Sequence, residues 1–562
     1  MMHSVKAPCD EEVMRSRPAR SRSSRSGFWV LLATILGSSM AFIDGSVVNV
    51  ALPALQREFN AASSEVQWVV EAYALFLASL LLVGGSLGDR FGRRRVFMFG
   101  TALFALASAF CGLAPGSGWL IAGRAVQGIG GALLVPGSLA MLSAAFQEEQ
   151  RGRAIGTWSG FTAVTSVLGP LLGGWMVQYA SWRWVFFLNI PLALIVLLVS
   201  FWRVAESRDE SVSGKLDWPG ALLVTLGLAG IVYGLIESGA NGLARPSVLF
   251  ALGLGLAALS AFLLVEARTA HPMVPLTLFR ARAFLGANLL TFFLYGALSA
   301  ATYFIPFDLL QVQNYPASLA GAALTPFAVS MFLLSRWTGG LVKRFGPRLP
   351  LVVGPCITML GFLLYALPDI GGSYWTTFFP AIIVMSLGMS VTVAPLTTTV
   401  MTALEQHYAG TASGINNAVS RTAGLVAIAV MGLVMLGVFR WSLGQQLAVI
   451  PLPAALRQAI QGESGSLAGI KLPPGVGGTT ATLLHHAIDQ SFVDGFRVVM
   501  LVCAGLALIS SLMAALLIEG KRRGGGGGAP PPPPRGGQWT HLRDDRSPEP
   551  ACEVSEDGEL TV

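Results

Sequence analysis

Between Phe28 and Ile518 the chain alternates long apolar stretches with short polar breaks. Most stretches hold about twenty residues or more, the length an α-helix needs to cross a hydrocarbon layer about 30 Å thick. The pattern predicts about fourteen spans, at 28–53, 67–88, 96–114, 117–146, 152–177, 184–203, 218–238, 246–266, 284–307, 317–338, 349–368, 375–404, 411–440 and 493–518. The runs are continuous and not ten-residue alternations, so an all-α polytopic membrane protein is expected and a β-barrel is not.

The polar breaks carry a repeat. "GGSLGDRFGRRR" (Gly84 to Arg95) and "GGLVKRFGPR" (Gly339 to Arg348) align without gaps, with Gly85, Leu87, Arg90, Phe91 and Gly92 matching Gly339, Leu341, Arg344, Phe345 and Gly346. Each follows the second span of a six-span block, which suggests an internal duplication. The division that follows is a basic N-terminal segment 1–27, a six-helix bundle 28–203, an inserted helix pair with a linker 204–283, a second bundle 284–518 with a long external loop 441–492, and a disordered tail 519–562. The tail holds "GGGGGAPPPPPRGG", a low-complexity composition.

Composition agrees with the apolar pattern: 53% of residues are hydrophobic and 12% charged, against about a quarter charged in soluble domains. The net charge of +7 is a topology signal. With fourteen spans, Arg15, Arg17, Arg20, Arg22 and Arg25, the 89–95 loop, Arg151 and Arg153, and the basic clusters at 203–215, 268–282, 343–348 and 521–523 fall on one side. Arg57, Arg183, Arg245, Arg457 and Lys471 remain for the other. The positive-inside rule then places both termini in the cytoplasm of a multi-pass plasma (inner) membrane protein, and no nucleic-acid partner is needed. The first apolar run is too long for a signal peptide and is expected to be retained. Five scattered cysteines form no CxxC pair, so no metal or disulfide framework is expected. His485 and His486, in the external loop, read as solvated.

Charged groups inside spans are costly, about 2.5–3.5 kcal/mol for Asp or Arg at a helix centre, and so point to function. They are Asp44, Glu71, Arg124, Asp308, Arg336 and Arg421. Asp44 lies mid-span and is the first candidate for a proton carrier; a purely structural pairing with Arg124 is the alternative. Glu71 and Asp308 could carry the proton instead, or line a substrate pocket. Gln127 is one turn from Arg124, and Arg421 follows Asn416 and Asn417, a set able to line a cavity or join helices. Trp158, Phe161 and Tyr295 are among the aromatics available to a pocket, and an aromatic cavity with one or two acids suits lipophilic cations.

Six motifs in order carry a resemblance: "DGSVVNVALP" (Asp44 to Pro53), "GSLGDRFGRRR" (Gly85 to Arg95), "RAVQGIGGALLVP" (Arg124 to Pro136), "GPLLGG" (Gly169 to Gly174), "WRWVFFLNIP" (Trp182 to Pro191) and "SGINNAVSRTAG" (Ser413 to Gly424). Over residues 28 to 518 the chain resembles the major facilitator superfamily, in its fourteen-span EmrB/QacA-like branch of drug:proton antiporters. The resemblance implies two six-helix bundles that rock about a central site. It implies a gating role for the loop of Gly85, Asp89, Arg90, Gly92 and Arg93, with Lys343 in place of the acid in the second half. It links Arg124 to proton translocation and the helix carrying Gly169, Pro170, Gly173 and Gly174 to export.

The expected function is proton-driven efflux of hydrophobic compounds, cationic ones included, by a monomer that needs no cofactor. Its partners are small hydrophobic substrates, protons and the lipid bilayer. No GxxxxGK[ST] loop offers an ATP motor, and no paired nucleophile and base suggests an enzyme. Export of one endogenous metabolite or antibiotic, uptake by symport, and a non-transporting sensor or scaffold are the alternatives.

Overall fold

In a computed structural model of the protein, residues 24–520 are described, apart from 147, 209–216, 270–271, 339, 405–408 and 474–475. The basic segment before residue 24 and the tail from residue 521 lie outside the described residues, as do the side chains of Arg25, Arg336 and Lys343. The described residues belong to one compact unit, within which the expected subdivisions are packed together.

The first bundle comprises α1 (Ser24–Phe59), α2 (Ser63–Phe91), α3 (Arg93–Gly112), α4 (Ser117–Ala145), α5 (Glu148–Tyr179), α6 (Trp184–Phe187) and α7 (Asn189–Arg203). The inserted pair is α8 (Trp218–Asn241) and α9 (Pro246–Arg268). The second bundle comprises α10 (Arg282–Phe307), α11 (Ala317–Ala323), α12 (Thr325–Thr338), α13 (Leu341–Phe345), α14 (Arg348–Tyr365), α15 (Phe378–Thr402), α16 (Ala409–Val449), α17 (Ala454–Gly462) and α18 (Gly478–Leu517). Thirteen segments among the described residues are long and apolar enough to cross a membrane, with α6 and α7 counted as one and α11 running into α12. The 32-residue α5, rich in Gly, Ser and Thr, adds a fourteenth rod of spanning length.

The expected loop over 441–492 is corrected. Helix α16 continues to Val449 and α18 starts at Gly478, so Trp441 to Val449 and both His485 and His486 are helical. Hydropathy marks where a helix leaves lipid; the backbone hydrogen-bond ladder has no reason to stop there. The true connection, 450–477, folds into α17 and a 3₁₀ turn, Ser464–Gly469.

Two turns reproduce the sequence repeat in three dimensions. Helix α2 ends at Phe91, Gly92 adopts φ 108°, and α3 starts at Arg93; α13 ends at Phe345, Gly346 adopts φ 76°, and α14 starts at Arg348. A positive φ costs glycine nothing and other residues considerably more. By helix alternation both turns lie at one end of the molecule, called here the basic end.

At the opposite end the halves are joined. Gln56 donates to Ser466 O (3.1 Å) and accepts from Gln311 (3.0 Å), Ser318 N donates to Gln178 Oε1 (2.9 Å), and Lys471 donates to Asn60 Oδ1. The pair α8–α9 is lodged beside this assembly: Leu228, Val232 and Ile236 of α8 pack against Leu75 of α2 and Leu425 and Ala429 of α16. Helix α8 thus touches one helix of each half, while α9 presents Leu249, Phe250, Leu256, Leu263 and Leu264 outward, as a lipid-facing helix must.

Candidate functional site: a buried ion pair beside a central cavity

Helices α1, α4 and α7 bring four polar side chains together inside the first bundle. Asp44 and Arg124 are buried, at 0% and 1% exposure. Arg124 Nη1 donates to Asp44 Oδ2 and to Gln127 Oε1 (2.8 Å), and its Nε donates to Val69 O (3.0 Å). The other Asp44 oxygen accepts from Gln127 Nε2 (2.8 Å) and Asn189 Nδ2 (3.0 Å). Asn189 also donates to Ser108 Oγ (2.9 Å), and the Tyr73 ring lies 4.3 Å from the guanidinium carbon.

Every oxygen of Asp44 is therefore engaged and its charge is matched. In a low-dielectric interior such a pair holds only with this geometry, and removing either partner leaves an uncompensated charge. Asn189 and Ser108 are members that sequence reasoning did not single out, although Asn189 stands inside the quoted "WRWVFFLNIP". The available signal was an amide two residues before a helical proline in an otherwise apolar run.

A cavity of about 470 Å³ lies between the bundles, against the neighbouring face of α1. It is lined by Phe42, Gly45, Ser46, Asn49 and Val50 of α1, Thr162 and Pro170 of α5, Tyr295, Leu298, Ser299, Thr302 and Pro306 of α10, Leu324, Phe327 and Met331 near α12, and Met385, Met389 and Val393 of α15. Among the described residues the lining contains no acid and no base. This departs from the expected pocket with one or two carboxylates: Asp44 points into its own bundle, while its chain neighbour Gly45 faces the cavity.

Of the expected cavity residues only Tyr295 lines it. Gln127 is held in the Asp44 cluster. Trp158 donates to Ser38 Oγ (3.2 Å), and Phe161 is half-exposed outside the lining. Asn416 donates to Asn288 Oδ1 (3.2 Å) and Thr291 Oγ1 (2.8 Å), joining α16 to α10, while Asn417 bonds back to Ser413 O (3.0 Å). Arg421 reaches the cavity's edge indirectly, its guanidinium carbon 5.8 Å from the ring of Phe42.

The other two acids stand apart. Glu71 is fully buried on α2 and neither carboxylate oxygen has a hydrogen-bond partner. Asp308 is 2% exposed and opens a π-helical turn, Asp308–Val312, at the end of α10. Such turns interrupt a helix at a local cost and are frequent at functional positions.

In the loop of the basic end, Asp89 accepts from Arg93 Nε (2.7 Å) across Gly92, closing the turn within one bundle. A further acid completes it. Glu206, just past α7, accepts from the backbone N–H of Arg94 (3.0 Å) and Arg95 (3.2 Å), the first turn of α3. A carboxylate there satisfies orphan donors and complements the helix dipole. Glu206→Ala is expected to lower stability by about 1 kcal/mol and to speed amide exchange over Arg93–Val96, readable by hydrogen–deuterium exchange; unchanged exchange would remove this role.

Helix α5 uses its glycines for two contacts. Gly169 and Gly173 lie against Ser46 and Val47 of α1, and Gly174 faces α11 of the other bundle, where an added Cβ would stand 2.2 Å from Ala317 O. Reciprocally, a Cβ on Gly321 would stand 2.1 Å from Pro170 O. Backbones approach this closely only where side chains are missing.

The comparisons with known proteins decide the family. The Major Facilitator Superfamily family model matches residues 34–428. The chain belongs to the major facilitator superfamily. This membrane transporter, and not an enzyme, is 35% identical over 422 residues to the multidrug resistance protein Stp of Mycobacterium tuberculosis, covering 73% of this chain and 76% of that one. It is 30% identical over 488 residues to the tetracenomycin C resistance and export protein of Streptomyces glaucescens, covering 86% and 90%. Among solved structures, the transporter fold is shared with a bacterial homolog of the human lysosomal transporter Spinster in an inward-facing, unoccupied conformation, with a TM-score of 0.61, 19% identity, and coverage of 88% of this chain and 97% of that one.

Proposed function

We propose that this major facilitator superfamily protein exports a hydrophobic compound in exchange for protons, with the basic end in the cytoplasm. The observation that carries the reading is the juxtaposition of a mid-helix carboxylate with an apolar cavity against the same helix. Asp44 on α1 cannot lose Arg124 without taking up a positive charge, and a proton is the smallest one to take. Movement of α1 against α4 during rocking of the bundles exchanges the guanidinium for the proton. The relatives' names, one multidrug resistance and one export of a single antibiotic, support the outward direction.

The uncharged lining supports neutral or weakly polar cargo, held by apolar contact and by the hydroxyl and amide groups of Tyr295, Thr302, Ser299 and Asn49. Met331, Met385 and Met389 supply surfaces that adapt to shape. The chain then needs no cofactor, because the ion gradient supplies the work: about 2.3 kcal/mol per proton per 100 mV. A single antibiotic-like substrate is the second reading, favoured by the tetracenomycin exporter's similarity over 86% of the chain.

The test is collapse of an imposed pH gradient in proteoliposomes on adding hydrophobic antibiotics, neutral and cationic. Response to several neutral compounds supports the broad reading, response to one compound the narrow reading, and none sinks proton-coupled export. Met389→Phe, which fills part of the cavity, is expected to change the relative response to large and small compounds by roughly tenfold or more; an unchanged ranking would move the substrate elsewhere.

A further inference from the structure

The inserted helix pair carries a second buried acidic site, remote from Asp44. Asp217 is the N-cap of α8: its Oδ1 accepts from Gly220 N (2.8 Å), while Oδ2 has no partner and the residue is 7% exposed. Glu266, in the last turn of α9, is 3% exposed; its Oε2 accepts from Val274 N (3.1 Å) in the linker, and Oε1 has no partner. Each carboxyl thus uses one oxygen on the backbone and leaves the other buried and unsatisfied.

Helix register brings the two together. Gly227 meets Leu259, Gly230 meets Gly255 and Gly234 meets Leu252, so paired positions on this antiparallel hairpin sum to 485 or 486. Extending that register sets Glu266 opposite Gly220, the residue Asp217 caps. A Cβ at Gly220 would stand 2.5 Å from Asp217 Oδ2, so the glycine keeps that oxygen's surroundings open. The Asp217 charge also reaches Glu266, adding to the larger effect of burial. Arg208, Arg268, Arg280 and Arg282 are exposed and form no ion pair with either acid among the described residues. Asp209, Glu210, Lys215 and His271 lie outside the described residues.

We propose that Asp217 and Glu266 bind one shared proton, forming an acid–carboxylate clasp that fastens the linker to the inserted pair. One O–H···O bond between Glu266 Oε1 and Asp217 Oδ2 satisfies both orphan oxygens and leaves a single negative charge on the pair. No group of three or more metal-ligating side chains exists among the described residues, and a proton needs neither a cavity nor further donors. Losing the proton to water leaves two buried like charges, which repel. Glu266 then turns out to solvent and releases Val274 N, so the linker that leads into α10 comes free as pH rises.

The experiment is hydrogen–deuterium exchange of the full chain in detergent micelles without substrate, corrected for intrinsic pH dependence, across neutral to alkaline pH. Exchange over 272–281 is expected to accelerate several-fold with pH in the parent. Glu266→Gln keeps the acceptor for Val274 N and offers an amide donor to Asp217, so it is expected to hold the linker protected at every pH. Asp217→Asn, still a good N-cap, is expected to do the same by donating to Glu266. One protonated-carboxyl component of the infrared spectrum should be present in the parent and lost from both variants, read as a parent-minus-variant difference because the buried Glu71 contributes its own band to all three. Corrected exchange flat with pH in the parent, pH dependence persisting in folded Glu266→Gln, or a difference spectrum showing no carboxyl component lost in either variant overturns the proposal. Because no transport is measured, failure here is separate from failure of proton-coupled export.

Discussion

Asp44→Asn is expected to abolish compound-driven proton movement while leaving a protein that inserts and purifies. The substitution keeps side-chain size, and an amide oxygen can still accept from Gln127 and Asn189. The group facing Arg124 becomes an N–H₂, so donor meets donor and a buried guanidinium loses its counter-charge. Breaking a buried pair from one side costs about 3–5 kcal/mol, so a lowered melting temperature is expected as well. Arg124→Lys separates the effects: it keeps the charge but not the fork that reaches Asp44, Gln127 and Val69 together. It should retain partial stability and little coupling. Proton flux in proteoliposomes, with monodisperse elution as the folding check, decides the matter; an Asp44→Asn variant exchanging protons at the parental rate would eliminate Asp44 as the carrier.

Gly174→Val is expected to keep the halves apart at the end opposite the basic turns. Even a methyl group at 174 meets the Ala317 carbonyl at 2.2 Å, and backbone cannot step aside as a flexible side chain can. The adjacent bond from Ser318 N to Gln178 Oε1 then fails. In a background freed of native cysteines, Gln178→Cys with Ser318→Cys should cross-link readily, and the added Gly174→Val should reduce that yield severalfold with export falling in step. Undiminished cross-linking would show that α5 and α11 need no such approach.

Much of this architecture is readable along the chain because lipid enforces it. Apolar length gave the number of spans, and the two glycine–arginine turns gave the duplication, since a reversal over one or two residues calls for the positive φ that Gly92 and Gly346 supply. The Asp44–Arg124 pairing was legible as an alternative because charges inside spans must find each other. Other features were not. Hydropathy does not say which face of a helix looks inward, so along the chain Phe327, Met385 and Met389 are indistinguishable from lipid-facing residues. Trp158 is no more than available to a pocket, and Asn416 and Asn417 stay open between lining a cavity and joining helices, the second of which Asn416 does. Glu206 lies more than a hundred residues from the turn it caps, and nothing local announces the contact. The length of α16 and α18 was hidden because polar residues such as Gln445 and Gln446 end a membrane span without ending a helix.

Those two helices have a mechanical meaning. A rod of 41 residues is about 60 Å long at 1.5 Å per residue, roughly twice the hydrocarbon thickness. Part of α16 and of its partner α18 therefore stands clear of the bilayer as a stalk, topped by the connection whose Ser466, in the turn, and Lys471, just past it, hold Gln56 and Asn60 of the other half. Levers of this length magnify a small tilt at the bilayer centre into several ångströms at the tip. A reagent that grips the tip and its opposite anchor can halt the transporter without entering lipid or competing for the cavity.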